Sequence, residues 1–133
     1  EFRRVLFRSP LFRNYSYHYK HDLDIEKMKE ASKYLLGTHD FCSFMGRKTN
    51  VYTTIRTIYS IDIEKDDNFI IMTFEGDSFL KNMVRIIVGT LINAGNKKMQ
   101  VEEMQEILDG KDRRLAGRTA PPQGLYLEKV FYD

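Results

Sequence analysis

Residues 79–94, FLKNMVRIIVGTLINA, form the densest apolar stretch of the chain, and their spacing is helical. At 100° per residue Leu80, Met83, Val84, Ile87, Val88 and Leu91 fall in one broad sector, the signature of a helix laid against a sheet. Ser78, with Asp77 before it, precedes the first apolar residue, and either side chain can accept hydrogen bonds from unpaired first-turn amides, so the spacing predicts a helix start there. Arg85 lies outside the apolar sector. Its neighbours three and four positions away, Asn82 and Gly89, complete a narrow polar stripe with one small residue, where another group can approach closely. Periodicity leaves two readings open: an ordinary exposed arginine, or an arginine lining a cleft and holding a carboxylate or phosphate in fork geometry.

With 133 residues, 42% hydrophobic and 30% charged, the chain can bury a core as one soluble globular domain without disulfides or metal. No apolar run approaches the ~18 residues of a membrane span. Cys42 is the only cysteine, which fits a reducing, cytoplasmic compartment. The formal charge of +2 is accounted for by Arg3, Arg4 and Arg8 against Glu1, all within the first ten residues. The remainder is neutral, so any case for an anionic partner rests on local patches.

Residues 1–10, EFRRVLFRSP, lack periodicity and read as a foreign leader, with a basic arm that touches nucleic acid as the rival reading. The domain is therefore expected over residues 11–133. Residues 12–19 place Tyr15, Tyr17 and Tyr19 at period two, which predicts a strand with one aromatic face. That face is either half-buried or a stacking platform for a base. Asp24 is placed to cap a helix carrying Ile25, Met28, Leu35 and Leu36, closed by Gly37. Residues 38–50, THDFCSFMGRKTN, read as a long loop anchored by Phe41 and Phe44, with Arg47 and Lys48 solvated and able to meet phosphates. His39 with Cys42, and His18 with His21, have the offset of metal ligands but lack the further ligands a zinc site needs, so no metal site is expected.

Residues 54–64 alternate, with Ile55, Tyr59, Ile61 and Ile63 expected on one face and Arg56, Ser60, Asp62 and Glu64 on the other. The turn KDDN then leads into a second strand at 69–75, a hairpin. A short helix is expected at 101–109. Residues 111–118, KDRRLAGR, set Lys111, Arg113, Arg114 and Arg118 against one acid, a basic patch that is either a solvated face or an RNA contact. Pro121 and Pro122 stiffen the next loop, and a last strand follows. The order predicts an α+β fold of βαββαβ type, an antiparallel-rich sheet with its helices on one face, leaving the open sheet face or the loop edge for a partner.

Four segments together resemble the tRNA pseudouridine synthases of the TruA type: LLGTHDFCSF (35–44), RTI (56–58), GDSFLKNMVRIIVGTL (76–91) and GRTAPPQGLYLEKVFY (117–132). Order and spacing match, and the resemblance runs from about Phe12 to Asp133. It implies the C-terminal half of a cofactor-free isomerase that converts uridines at positions 38–40 of the tRNA anticodon arm to pseudouridine, acting on a flipped-out base. An aspartate carboxylate is nucleophile or base in that family, and a nearby arginine keeps it ionised. On the resemblance, Arg85 is the arginine that pairs with the aspartate, and Tyr15, or else Tyr17, stacks on the target base. Asn82, His39, Asp40, Phe41 and Arg56 shape the substrate cleft, and Arg47, Lys48, Lys111, Arg113, Arg114 and Arg118 contact RNA. The partners implied are tRNA and, in the full-length protein, a second copy in a homodimer. The family's nucleophile lies in an earlier motif, GRTDAGVH, that does not occur in this sequence. Asp40 and Asp77 are accordingly read as loop and cap residues, and the chain is expected to be inactive alone. A non-catalytic RNA-binding module is the alternative.

Overall fold

The computed structural model describes residues 11–18, 22–46 and 51–127. The leader, Tyr19, His21, Arg47 and Lys48 lie outside the described residues. Five strands form one antiparallel sheet: β1 (Leu11–His18), β2 (Gly37–Asp40), β3 (Ile55–Asp66), β4 (Phe69–Gly76) and β5 (Leu125–Leu127), in the order β2-β3-β4-β1-β5. Three helices accompany it: α1 (Ile25–Lys33), α2 (Met83–Gly95) and α3 (Glu103–Gly110). The expected α+β architecture is therefore present, with one strand more than expected. Gly37, expected to close the first helix, and residues 38–40 of the anticipated loop pair with β3, Gly37 opposite Ile58 and Asp40 opposite Ile55. A four-residue edge strand has no periodicity long enough to announce itself.

α1 starts where the capping pattern placed it, with the Asp24 carboxylate accepting from the Lys27 amide at 3.2 Å. The start of α2 is different. Residues 77–80 are not helical, and α2 begins at Met83 after Asn82, whose backbone is left-handed at φ +59°. Asp77 caps no helix; its Oδ1 accepts from the Thr57 amide at 3.1 Å and ties the end of β4 to β3. Asparagine tolerates the left-handed region better than most residues, so the chain turns at 81–82 and only then winds into helix. Leu80, Met83, Val84, Ile87, Val88 and Leu91 are all buried, together with Ile86 and Ala94.

β3 does not alternate as its sequence suggests. Ile58 pairs with Gly76 but Ser60 with Glu75, so Tyr59 is an extra residue in a bulge. A bulge reverses the parity of the strand. Ile58 and Ile63 consequently share the helix-covered face while Ile55 and Tyr59 are exposed, at 51% and 54%.

Directly paired residues in antiparallel strands point to the same side. Tyr15 opposes Met72 and Tyr17 opposes Ile70, both β4 partners being fully buried. The aromatic stripe of β1 thus faces the helices and not the open side of the sheet. That open side carries Asp62, Glu64 and Asp66 of β3 beside Glu75 of β4, a charge pattern that repels phosphate.

Gly89 controls how the end of the chain reaches α2. A Cβ there would stand 1.7 Å from the Arg118 carbonyl oxygen. Alanine favours a helix interior by about 1 kcal/mol over glycine, but the obstacle is backbone and cannot swing aside, so overpacking dominates. Gly89→Ala is expected to lose about 2 kcal/mol of stability, read as a lower urea midpoint.

Candidate functional site

The polar stripe of α2 is covered by the chain itself. After α3 and a 3₁₀ turn (Arg113–Leu115), residues 116–121 run as an irregular strap along the stripe, and a second 3₁₀ turn (Pro122–Gly124) follows. Gly117 N donates to Thr90 Oγ1 at 2.8 Å, and Thr90 in turn donates to the Ile86 carbonyl. Arg118 lays its carbonyl over Gly89. Ala120 and Arg85 then bond reciprocally: the Ala120 amide donates to the Arg85 carbonyl at 3.0 Å, and Arg85 Nε donates to the Ala120 carbonyl at 2.8 Å. One residue further on, the Tyr15 hydroxyl donates to the Pro121 carbonyl. Helix, strap and β1 are thereby joined through backbone carbonyls.

Three concavities flank this strap. The first, about 330 Å³, is lined by Arg13 and Phe79, by residues 80–85 and by Pro122. Its cations are Arg13, Lys81 and Arg85, and among the described residues no carboxylate lines it. Arg85 Nη1 donates to Asn82 Oδ1 at 3.1 Å, so the left-handed Asn82 both starts the helix and aims the guanidinium. Arg13 is held by its own Nη1 bond to the Phe12 carbonyl and by the Phe79 ring 5.5 Å below it, a cation–π contact. Burial lowers the Arg13 pKa from its ordinary value, yet an arginine stays charged. Nε and Nη1 of Arg85 are occupied by neutral acceptors, and Arg85 lines a cation-rich groove with no carboxylate among its described residues. A carboxylate entering there would be held ionised.

The second concavity, about 760 Å³, lies along the strap and is lined by Tyr17, Gly89, Ile92, Asn93, Asn96, Lys98 and residues 116–121. The third, about 350 Å³, is lined by residues 15–18, Phe69, Pro121 and Gly124.

A family model described as tRNA pseudouridine synthase matches residues 31–133. The chain belongs to the tRNA pseudouridine synthase family. Relatives include the tRNA pseudouridine synthase A of Thermoanaerobacter sp. (strain X514), 51% identical over 95% of this chain and 52% of its own length. That of Listeria monocytogenes serotype 4b is 47% identical over 100% and 56%, and that of Bacillus subtilis (strain 168) 49% identical over 91% and 49%. The chain spans about half the length of the curated relatives it matches.

The described residues singled out from sequence do not gather at one site. Arg85 and Asn82 share the cationic groove. His39, Asp40, Phe41 and Arg56 gather instead around β2 and β3, and none of them lines that groove. His39 Nε2 bonds to the Leu36 carbonyl at 2.7 Å, Asp40 Oδ1 accepts from the Cys42 amide and Thr54 Oγ1, and Phe41 is fully buried. Arg56 Nη1 donates to the Thr53 and Ile55 carbonyls. In this structure these four pin a sheet edge to its connecting loop. Among the described residues no group of three or more His, Cys, Asp or Glu is placed to hold a metal ion, and no helix is long and apolar enough to cross a membrane.

The basic segment is partly internal. Arg114 pairs with Asp112 at 2.8 Å, which lowers the Asp112 pKa through the hydrogen bond and raises that of Arg114. Arg113 Nη2 donates to Thr119 Oγ1 at 3.1 Å and braces the strap. Lys111 is exposed in a left-handed turn after α3, and Arg118 is exposed beside the second concavity. Sequence reasoning passed over Arg13 and Lys81. Lys81 lies in the turn that precedes α2, so helical spacing from Arg85 does not place it; Arg13 needed the sheet to bring β1 beside Phe79.

Tyr15 is 1% exposed, with its ring enclosed and its hydroxyl on the strap. Burial raises its pKa, opposed by the Arg85 charge and assisted by Tyr17. A folded-state pKa above the unfolded value of about 10 favours the neutral phenol. Its stabilising contribution is complete below about pH 10 and is lost as pH climbs through the folded value. Tyr15→Phe is expected to cost about 1 kcal/mol at neutral pH through the lost hydrogen bond. It should also flatten the fall in stability above about pH 10, both measured by urea unfolding against pH.

Proposed function

We propose that this chain supplies the arginine half of a uridine-isomerising centre: Arg85 receives the catalytic carboxylate of an aspartate carried by a segment other than these 133 residues. The observation that carries this reading is the oriented guanidinium in a groove with three cations and, among the described residues, no acid. The absence of a GRTDAGVH-like motif from the sequence supports it, as does a span of about half the length of the relatives. The substrate is tRNA, modified at uridines 38–40 of the anticodon arm in the cytoplasm without a cofactor, by a protein that is a homodimer at full length. The ionised carboxylate attacks or deprotonates the flipped-out nucleotide, the glycosidic bond breaks, and the base rotates and rejoins through carbon. Arg85 keeps the carboxylate ionised and fixes its direction. Tyr15 contributes by holding the strap at Pro121, and thereby the Ala120 carbonyl against Arg85, rather than by stacking on a base. Lys111 and Arg118 are the freely exposed cations of the basic segment and are available to phosphate.

The 133-residue chain, incubated with an anticodon-arm RNA tritiated at uridine C5, is expected to bind in a salt-dependent manner and to release no tritium. Turnover would overturn the assignment of the nucleophile to another segment, and absence of binding at low salt would overturn the RNA assignment.

A further inference from the structure

We propose that the 760 Å³ groove on the far side of the strap from Arg85 is a second RNA contact, in which Lys98 and Arg118 take phosphates and Tyr17 stacks on a base. The inference rests on the tRNA reading above and adds to it where the strand runs beyond the nucleotide that reacts.

Four observations carry it. The groove has more than twice the volume of the one that holds Arg85, far more than a single carboxylate needs and within the range of sites that enclose nucleotide-sized ligands. Beside the apolar Ile92, Ala116, Ala120 and Pro121, its lining sets the donors Asn93, Asn96, Lys98 and Arg118 around the half-buried Tyr17, with no carboxylate among the described residues of the lining. Lys98 and Arg118 are exposed, and among the described residues neither takes part in an ion pair such as those that join Lys29 to Glu26 and Arg114 to Asp112. Its floor is kept low by two facing glycines. A Cβ on Gly117 would meet Asn93 Nδ2 at 2.8 Å and the Gly89 backbone at 3.0 Å, so strap and helix touch through backbone and leave the space above them open.

Two solvated cations on a surface are ordinary. What separates this pair is where they converge. The chain beyond its leader is neutral and the open sheet face is acidic, yet at this groove two cations and two amides meet an aromatic wall with no acid between them. A positive groove with an aromatic platform is how single-stranded nucleic acid is held. The path is continuous as well: Pro121 borders this groove and Pro122 borders that of Arg85, so a strand leaving the reacting nucleotide crosses the strap within one residue's width.

The test uses the 133-residue chain and a fluorescently labelled anticodon-arm RNA, with binding followed by anisotropy across a salt series. Lys98→Gln/Arg118→Gln is expected to weaken binding about tenfold at low salt and to reduce the slope of log K against log salt by about 1.4, the value for two single-strand phosphate contacts. Lys29→Gln/Lys33→Gln on α1 removes the same charge away from the groove and is expected to change affinity less than about twofold. Tyr17→Leu is expected to weaken binding about fivefold or more with the slope unchanged, because stacking releases no counterions. Equal losses from the two double variants would overturn the proposal in favour of diffuse charge attraction. Wild-type binding unaffected by the groove variants would overturn the groove while leaving the tRNA reading intact. Failure of the wild-type chain to bind would overturn the tRNA reading itself.

Discussion

The reciprocal bond between Arg85 and Ala120 is the constraint on which the site depends. A guanidinium on a helix surface ordinarily samples many rotamers, and ordering it costs up to about 2 kcal/mol. In this protein the ordering is shared with a backbone contact: the same residue pair exchanges Nε to carbonyl and amide to carbonyl. The strap cannot leave without freeing the arginine, and the arginine cannot turn without leaving the strap a buried carbonyl to satisfy. Asn82 closes the arrangement from the other side, its left-handed backbone placing Oδ1 on Arg85 Nη1.

Everything around that pair serves to bring the strap down. Gly89 removes the side chain that would stand in the path of Arg118, Gly117 lets the strap approach Asn93, and Gly124 lets the chain pass Ser16 and the Tyr15 ring on its way into β5. Tyr15 reaches through the core from β1 to hold Pro121, and Arg113 braces Thr119. Three of the basic and aromatic residues that look from sequence like ligand contacts, Tyr15, Arg85 and Arg113, are in this structure also fastenings of the strap. The same fastening divides the surface in two, a compact cationic groove on the Arg85 side and a wider polar groove on the Tyr17 side.

Several features were legible in the residues themselves. The apolar sector of α2, the Asp24 cap, the β3–β4 hairpin and the polar stripe of Asn82, Arg85 and Gly89 follow from local spacing, because they depend on neighbours within four residues or on a two-residue turn. The small residue in that stripe did mark a close approach, although what approaches is the chain's own backbone. The edge strand β2 was not legible, being four residues long and stabilised by pairing with β3. Nor was the bulge at Tyr59, since an inserted residue changes which face is buried without changing the alternation of the letters. The start of α2 was misplaced for a related reason: Asp77 is a good cap by composition, but the Thr57 amide on a neighbouring strand claims its carboxylate.

The amino-acid sequence by itself determined the helices, the antiparallel α+β class and the family, because each rests on patterns written in contiguous residues. Only the tertiary structure decided where the functional groups point. Tyr15 turns inward because β1 pairs with the buried face of β4, Arg13 joins Lys81 and Arg85 because the sheet brings β1 to the end of α2, and the strap separates one groove from another. Those relations link residues as far apart as 35 positions for Arg85 and Ala120 and 106 for Tyr15 and Pro121. They run through backbone atoms that every residue possesses, and no side-chain pattern along the chain records them.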